Sequence, residues 1–132
     1  MAYTDKNYFL KKISAAELNK LTGADDENLI AAIAFADSMI DSYLTGVVKT
    51  LPLETVPDVI KQFSYDIAIF SMHDRIQYTD IPDWVKNKYD SAVFFLKDVA
   101  RGQANIPGLT SEQKDESISY AVNENVFNRG TV

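Results

Sequence analysis

The chain has 132 residues, 46% of them hydrophobic, with 13 Lys+Arg against 19 Asp+Glu for a formal charge of −6, one histidine and no cysteine. That length holds one domain around one core and is too short for two. The acidic balance opposes autonomous binding to a phosphate backbone, which needs clustered cations, and the lack of cysteine excludes disulfides, thiolate metal sites and cysteine nucleophiles together.

The opening, MAYTDKNYFL, lacks the charged-then-apolar pattern of a secretory signal, and no apolar run approaches the roughly 20 residues needed to span a bilayer. A soluble, non-exported protein with no membrane partner is expected. Thr4 or Asp5 can cap a short helix through about Lys11, and Ser14 with Glu17 fits a capping box for a second that ends before Gly23. Leu18 and Leu21 would face the core with Tyr8, Phe9 and Leu10. Asp25 and Asp26 then open a long helix, where the N-terminal dipole favours carboxylates. Its series Leu29, Ile33, Ala36, Ile40, Tyr43 steps by four and three, the helical period, with a polar opposite face.

Gly46 can take the left-handed conformation that ends this helix, and Pro52 and Pro57 forbid propagation from upstream. Pro57 suits a first-turn position, where its missing N–H costs nothing. The result is a helix hairpin with a partly apolar elbow of Val47, Val48, Leu51, Leu53 and Val56. Val59, Ile60, Phe63, Ile67 and Phe70 repeat the helical pattern until it frays around His73 to Arg75, and a loop with Thr79-Asp80-Ile81 follows. Pro82 begins a third long helix with the stripe Val85, Tyr89, Ala92, Leu96, Val99 and Gly102 as its C′ residue.

The pattern predicts an all-α domain over residues 1–102, three long amphipathic helices with two short N-terminal ones, followed by an extended C-terminal arm over 103–132. Within the arm, Asn105, Pro107 and Gly108 break the helix and TSEQKDES is polar. Ile118, Tyr120 and Val122 then alternate with Ser119 and Ala121 in a period of two, before Val126 and Phe127.

Candidate chemistry is sparse. With His73 as the only histidine, a two-histidine metal site is excluded, and a helix-end histidine near the C-terminal dipole is the better reading. Asp66 interrupts an apolar stretch and, if buried, must be paired, which favours a structural hydrogen bond or subunit contact over catalysis. Asp37 and Asp41 lie one turn apart, but no Glu-x-x-His accompanies them, so a solvated face is expected rather than a metal site. Asp25-Asp26-Glu27 lacks the spaced ligands and glycine of a calcium loop and reads as a helix start. Five scattered glycines form no phosphate-cradling motif and no G-x-S-x-G. No enzyme activity, cofactor or metal is therefore expected. A helix-turn-helix reader using Lys11, Lys12 and Lys20 is disfavoured, since Ala15-Ala16-Glu17-Leu18-Asn19 offers few base-reading side chains.

Phe94 and Phe95 are consecutive and so point about 100° apart on a helix; at least one should reach the core edge or a partner. Trp84, in the first turn of that helix, would extend the patch. With Ile118, Tyr120, Val122 and Phe127 of the arm, these make up the candidate partner interface.

The opening YTDKNYFLKKISAAELNKLTG, the run IDSYLTG, LPL followed by VP and a helix carrying YDIA, and the closing YDSAVFFLKDVARG occur in a characteristic order. In this the chain resembles the Mu-like phage head–tail connector, or head-completion, proteins from Tyr3 to about Gly102. The elbow VVKTLPLETVP is not a strict match in length, and residues from Gln103 on exceed the pattern. The resemblance implies a helical, non-catalytic subunit that assembles with itself as a ring between the portal and tail proteins, at the virion neck after assembly in the bacterial host cytoplasm. The residues alone leave a small helical adaptor or regulatory domain binding one protein partner, and a DNA-binding regulator differs again in class. No sequence-specific nucleic acid binding is expected.

Overall fold

The computed structural model describes residues 2–76 and 80–109, and among them every regular element is helical. The helices are α1 (Lys6–Leu10), α2 (Ala15–Thr22), α3 (Asp26–Leu44), α4 (Asp58–Arg75) and α5 (Asp83–Ala100). Local chemistry sets most of the ends. Asp5 accepts from the Tyr8 N–H at 2.9 Å, Ser14 from Glu17 N–H at 3.1 Å and Asp25 from Glu27 N–H at 3.0 Å, each satisfying a donor that the first helical turn leaves without a partner. Pro57 and Pro82 stand one residue before α4 and α5, as N-caps. They lack a capping side chain, and Asp58 and Asp83 in the first turns supply the negative charge that the helix N-terminus favours. At the end of α5, Gly102 at φ +80° lets its own N–H reach the Val99 carbonyl and that of Gln103 reach Asp98 at 2.8 Å, a Schellman closure.

Two terminations differ from expectation. Gly46 is not left-handed; α3 ends through Thr45 in right-handed geometry, with the N–H groups of Val47 and Val48 both donating to the Leu44 carbonyl. α4 stays helical through Arg75 instead of fraying, and the Arg75 guanidinium donates to the Leu21 carbonyl at 2.8 Å, joining the C-terminal ends of α2 and α4. The elbow, residues 45–57, contains a cis Leu51–Pro52 bond and buries Val48 and Leu53.

Helix α4 packs on both α3 and α5, and α2 lies against α3 and α4. Leu29, Ile33, Ala36 and Ile40 of α3 and Val85, Ala92, Leu96 and Val99 of α5 are buried as their spacing predicts. Tyr43 and Tyr89 are only partly buried. Leu44 is fully buried, and Leu10 is exposed rather than in the core. The larger departure is α4: beyond Ile60 and Ile67 it buries Ser64, Tyr65, Asp66, Ala68, Ile69 and Met72. With neighbours on more than one side, it cannot keep the single narrow stripe of a surface helix. The packed domain also runs past Gly102, because the chain turns back after α5 and buries Ile106.

Candidate functional site

The candidate interface residues of α5 do not form one patch. Trp84 and Phe94 are 57% and 65% exposed, and ten residues of helix set them about 15 Å apart along the axis. Phe95 is partly buried, its ring centroid 5.6 Å from that of Phe63 in a tilted pair. Ala92 and Leu96, two residues to either side of Phe94, lie about 200° around the helix from it, and both are buried. Phe94 therefore points away from the core, and Phe95 is a core-edge residue. Ile118, Tyr120, Val122 and Phe127 lie outside the described residues.

Asp37 and Asp41 are not a solvated pair. Asp37 is buried, its Oδ2 accepting from the Tyr3 N–H at 2.8 Å and its Oδ1 from the Ser64 hydroxyl at 2.8 Å. The Tyr3 hydroxyl donates to Asp41 Oδ1 and accepts from the Leu53 N–H at 3.0 Å. Thr4 Oγ1 lies 3.3 Å from Ser64 Oγ. The extended N-terminal residues are thereby latched to α3, to α4 and to the elbow. Burial pushes the Asp37 carboxyl above the usual carboxylate range, opposed by the bonds from Tyr3 and Ser64. Burial, reinforced by the Asp41 bond, likewise raises the Tyr3 hydroxyl, so it remains a donor at neutral pH. The chain pattern held one clue: Asp37 sits between Ile33 and Ile40 on the buried side of α3.

Beside this latch runs an open groove of about 470 Å³. It is lined by α3, through Ile30, Ala34, Ser38 and Asp41, by the N-terminal segment with Thr4 and Asp5, and by Pro52 of the elbow. Ile30 is 60% exposed on it.

Asp66 has a structural partner, as expected: Gln62 Nε2 donates to its Oδ1 at 3.0 Å. Burial raises its pKa, and the Gln62 bond and the charges of Lys88 and Lys12 oppose the shift. His73 sits near the end of α4 beside a polar cleft with Asp74, Asp80, Asp83 and Lys86. Burial lowers its pKa and Glu17 opposes that, so it is neutral at pH 7. Among the described residues no three His, Asp or Glu side chains converge on a metal-sized site. No helix among them is long and apolar enough to cross a membrane.

The family model described as Bacteriophage Mu, Gp36 matches residues 3–124. The match runs well past Gly102 and takes in most of the C-terminal segment. No curated protein matches the chain.

Proposed function

The chain belongs to the bacteriophage Mu Gp36 family, and from that premise we propose that this phage protein is a structural head–tail connector, or head-completion, subunit. In this reading it assembles with itself as a ring between portal and tail proteins at the virion neck, after synthesis in the host cytoplasm. It catalyses nothing and takes no cofactor. The observation that carries the reading is family membership over nearly the whole chain. The distribution of polar groups supports it: Asp37 and Asp66, the two buried carboxylates among the described residues, are occupied by structural hydrogen bonds.

A closed ring needs two different surfaces that meet head to tail. The outward Phe94 of α5 and the exposed Ile30 beside the α3 groove supply apolar groups on separate parts of the domain. The net charge of −6 suits a conduit through which DNA passes without being gripped. The test is a phage lacking this gene. Filled heads and free tails should accumulate unjoined, and adding the purified protein should join them. Infectious, tailed particles formed without the protein would refute the connector role. In gel shifts at moderate salt, duplex DNA should remain unbound.

A further inference from the structure

We propose that residues 118–122 of one subunit fill the groove between α3 and the N-terminal segment of the next subunit. This rests on the ring reading and supplies one pair of surfaces that would close it.

The chain leaves the domain in the right place. After α5 it buries Ile106, and Gly108 at φ +92° packs on Pro57, so closely that a Cβ there would lie 3.3 Å from the Pro57 Cβ. Leu109 therefore departs beside the elbow, and the elbow's Pro52 lines the groove. From residue 109 to 118 an extended chain spans about 30 Å, enough to reach an adjacent copy.

Length and chemistry also agree. Ile30 to Asp41 covers about 16 Å of helix axis, and five extended residues cover about the same at roughly 3.3 Å each. Among the described residues the groove is lined by the carboxylates of Asp5, Asp37 and Asp41 and by no cationic side chain. Ser117 to Asn123 carries no charge, so it enters without like-charge repulsion, and the hydroxyls of Ser119 and Tyr120 are donors for oxygens that only accept. Alternation places Ile118, Tyr120 and Val122 on one side of an extended segment, where they would cover Ile30 and Ala34. The family match extends to residue 124 and so includes these positions. Arm and groove are different surfaces, the requirement for head-to-tail closure.

The absence of native cysteine makes the test direct. Full-length Ala34→Cys and Tyr120→Cys chains, mixed and mildly oxidised, should form a disulfide-linked heterodimer. Substituting Ile30→Asp in the groove chain should abolish the link, and Ser91→Cys on the outer side of α5 should not link to Tyr120→Cys. The double variant should give a ladder of joined subunits. If it yields only an internally closed monomer, the segment seats on its own chain and the proposal is wrong. If light scattering shows ring-sized species but no link forms, the groove assignment falls while the ring stands; a chain that stays monomeric and unlinked at every concentration removes both.

Discussion

Replacing Tyr3 by Phe tests whether the N-terminal segment holds the elbow in place. The substitution keeps the ring, which is 3% exposed, and keeps the N–H that donates to Asp37. It deletes only the hydroxyl. Two bonds go with it, and they differ in cost. Asp41 is partly exposed, so water replaces the lost donor at little expense. The Leu53 N–H belongs to a residue 5% exposed, and a buried donor left without an acceptor costs about 1–3 kcal/mol. A loss of about 2 kcal/mol is expected, which for a domain near 100 residues lowers Tm by about 8 °C. Thermal circular dichroism reads the shift, and urea titration should show a lower midpoint with an unchanged slope, since the same surface is exposed on unfolding. Tyr3→Phe and Asp41→Ala should be non-additive, because each removes one partner of the same bond. A stability change within about 0.5 kcal/mol, the range of an ordinary surface substitution, would refute the reasoning.

Phe94→Ser should leave stability within about 0.5 kcal/mol, since Phe94 faces solvent, yet reduce oligomer formation by light scattering. Phe95→Ala should do the reverse and cost about 2 kcal/mol, less than the 3–5 typical of a fully buried Phe, through lost packing on Phe63. Arg75→Met should cost about 1.5 kcal/mol by removing a charged donor from the Leu21 carbonyl. The native pKa values of Asp37 and Asp66 are raised by burial, so the native state holds these protons more tightly than the unfolded chain. Their contribution is present in full below about pH 3.9, the unfolded value, and is lost as pH rises through the native values; the stability of wild type relative to Asp66→Asn should therefore fall from pH 4 towards 7 in thermal melts.

What the chain revealed about its own fold divides by range of interaction. The starts of α1, α2 and α3 were legible because Asp5, Ser14 and Asp25 bond to N–H groups two or three residues on. The α5 stripe was legible because one face meets the core and the other meets water. The latch was not legible, because its bonds join residues 27 to 60 positions apart, and an aspartate one turn from another reads as a solvated pair until Tyr3 is brought beside both. Nor was the burial of α4, which depends on how many neighbours surround it. The run Ser64-Tyr65-Asp66-Ile67-Ala68-Ile69 carried a sign of it, apolar residues on successive positions with polar ones small enough or bonded enough to be enclosed. Gly46 shows the limit of a permissive residue: freedom to adopt positive φ creates no need for it.

The enclosure of α4 constrains where assembly contacts can form. A helix that buries Ile60, Ser64, Tyr65, Asp66, Ile67, Ala68, Ile69 and Met72 within its own domain offers a neighbour no exposed large apolar side chain. Apolar contacts with a partner are therefore expected chiefly on the outer parts of α3 and α5, or on segments leaving the domain. Among the described residues, four of the five exposed large apolar side chains follow this division, Ile30 and Phe35 on α3 and Trp84 and Phe94 on α5; the fifth, Leu10, is on α1, and none is on α4. Isolated exposed apolar residues are ordinary, but Ile30 lies in a groove rather than on a convex surface, where an inserted side chain gains contacts on both walls. Truncation after Gly108 separates the two roles that follow. Because Ile106 and the contact of Gly108 with Pro57 are retained, the truncated chain should melt within about 2 °C of the full one, a shift of about 0.5 kcal/mol. Ring-sized species should nevertheless be lost from light scattering. A truncated chain that assembled normally would show that the α3 and α5 surfaces suffice without the arm, and one that unfolded would place the segment in the core.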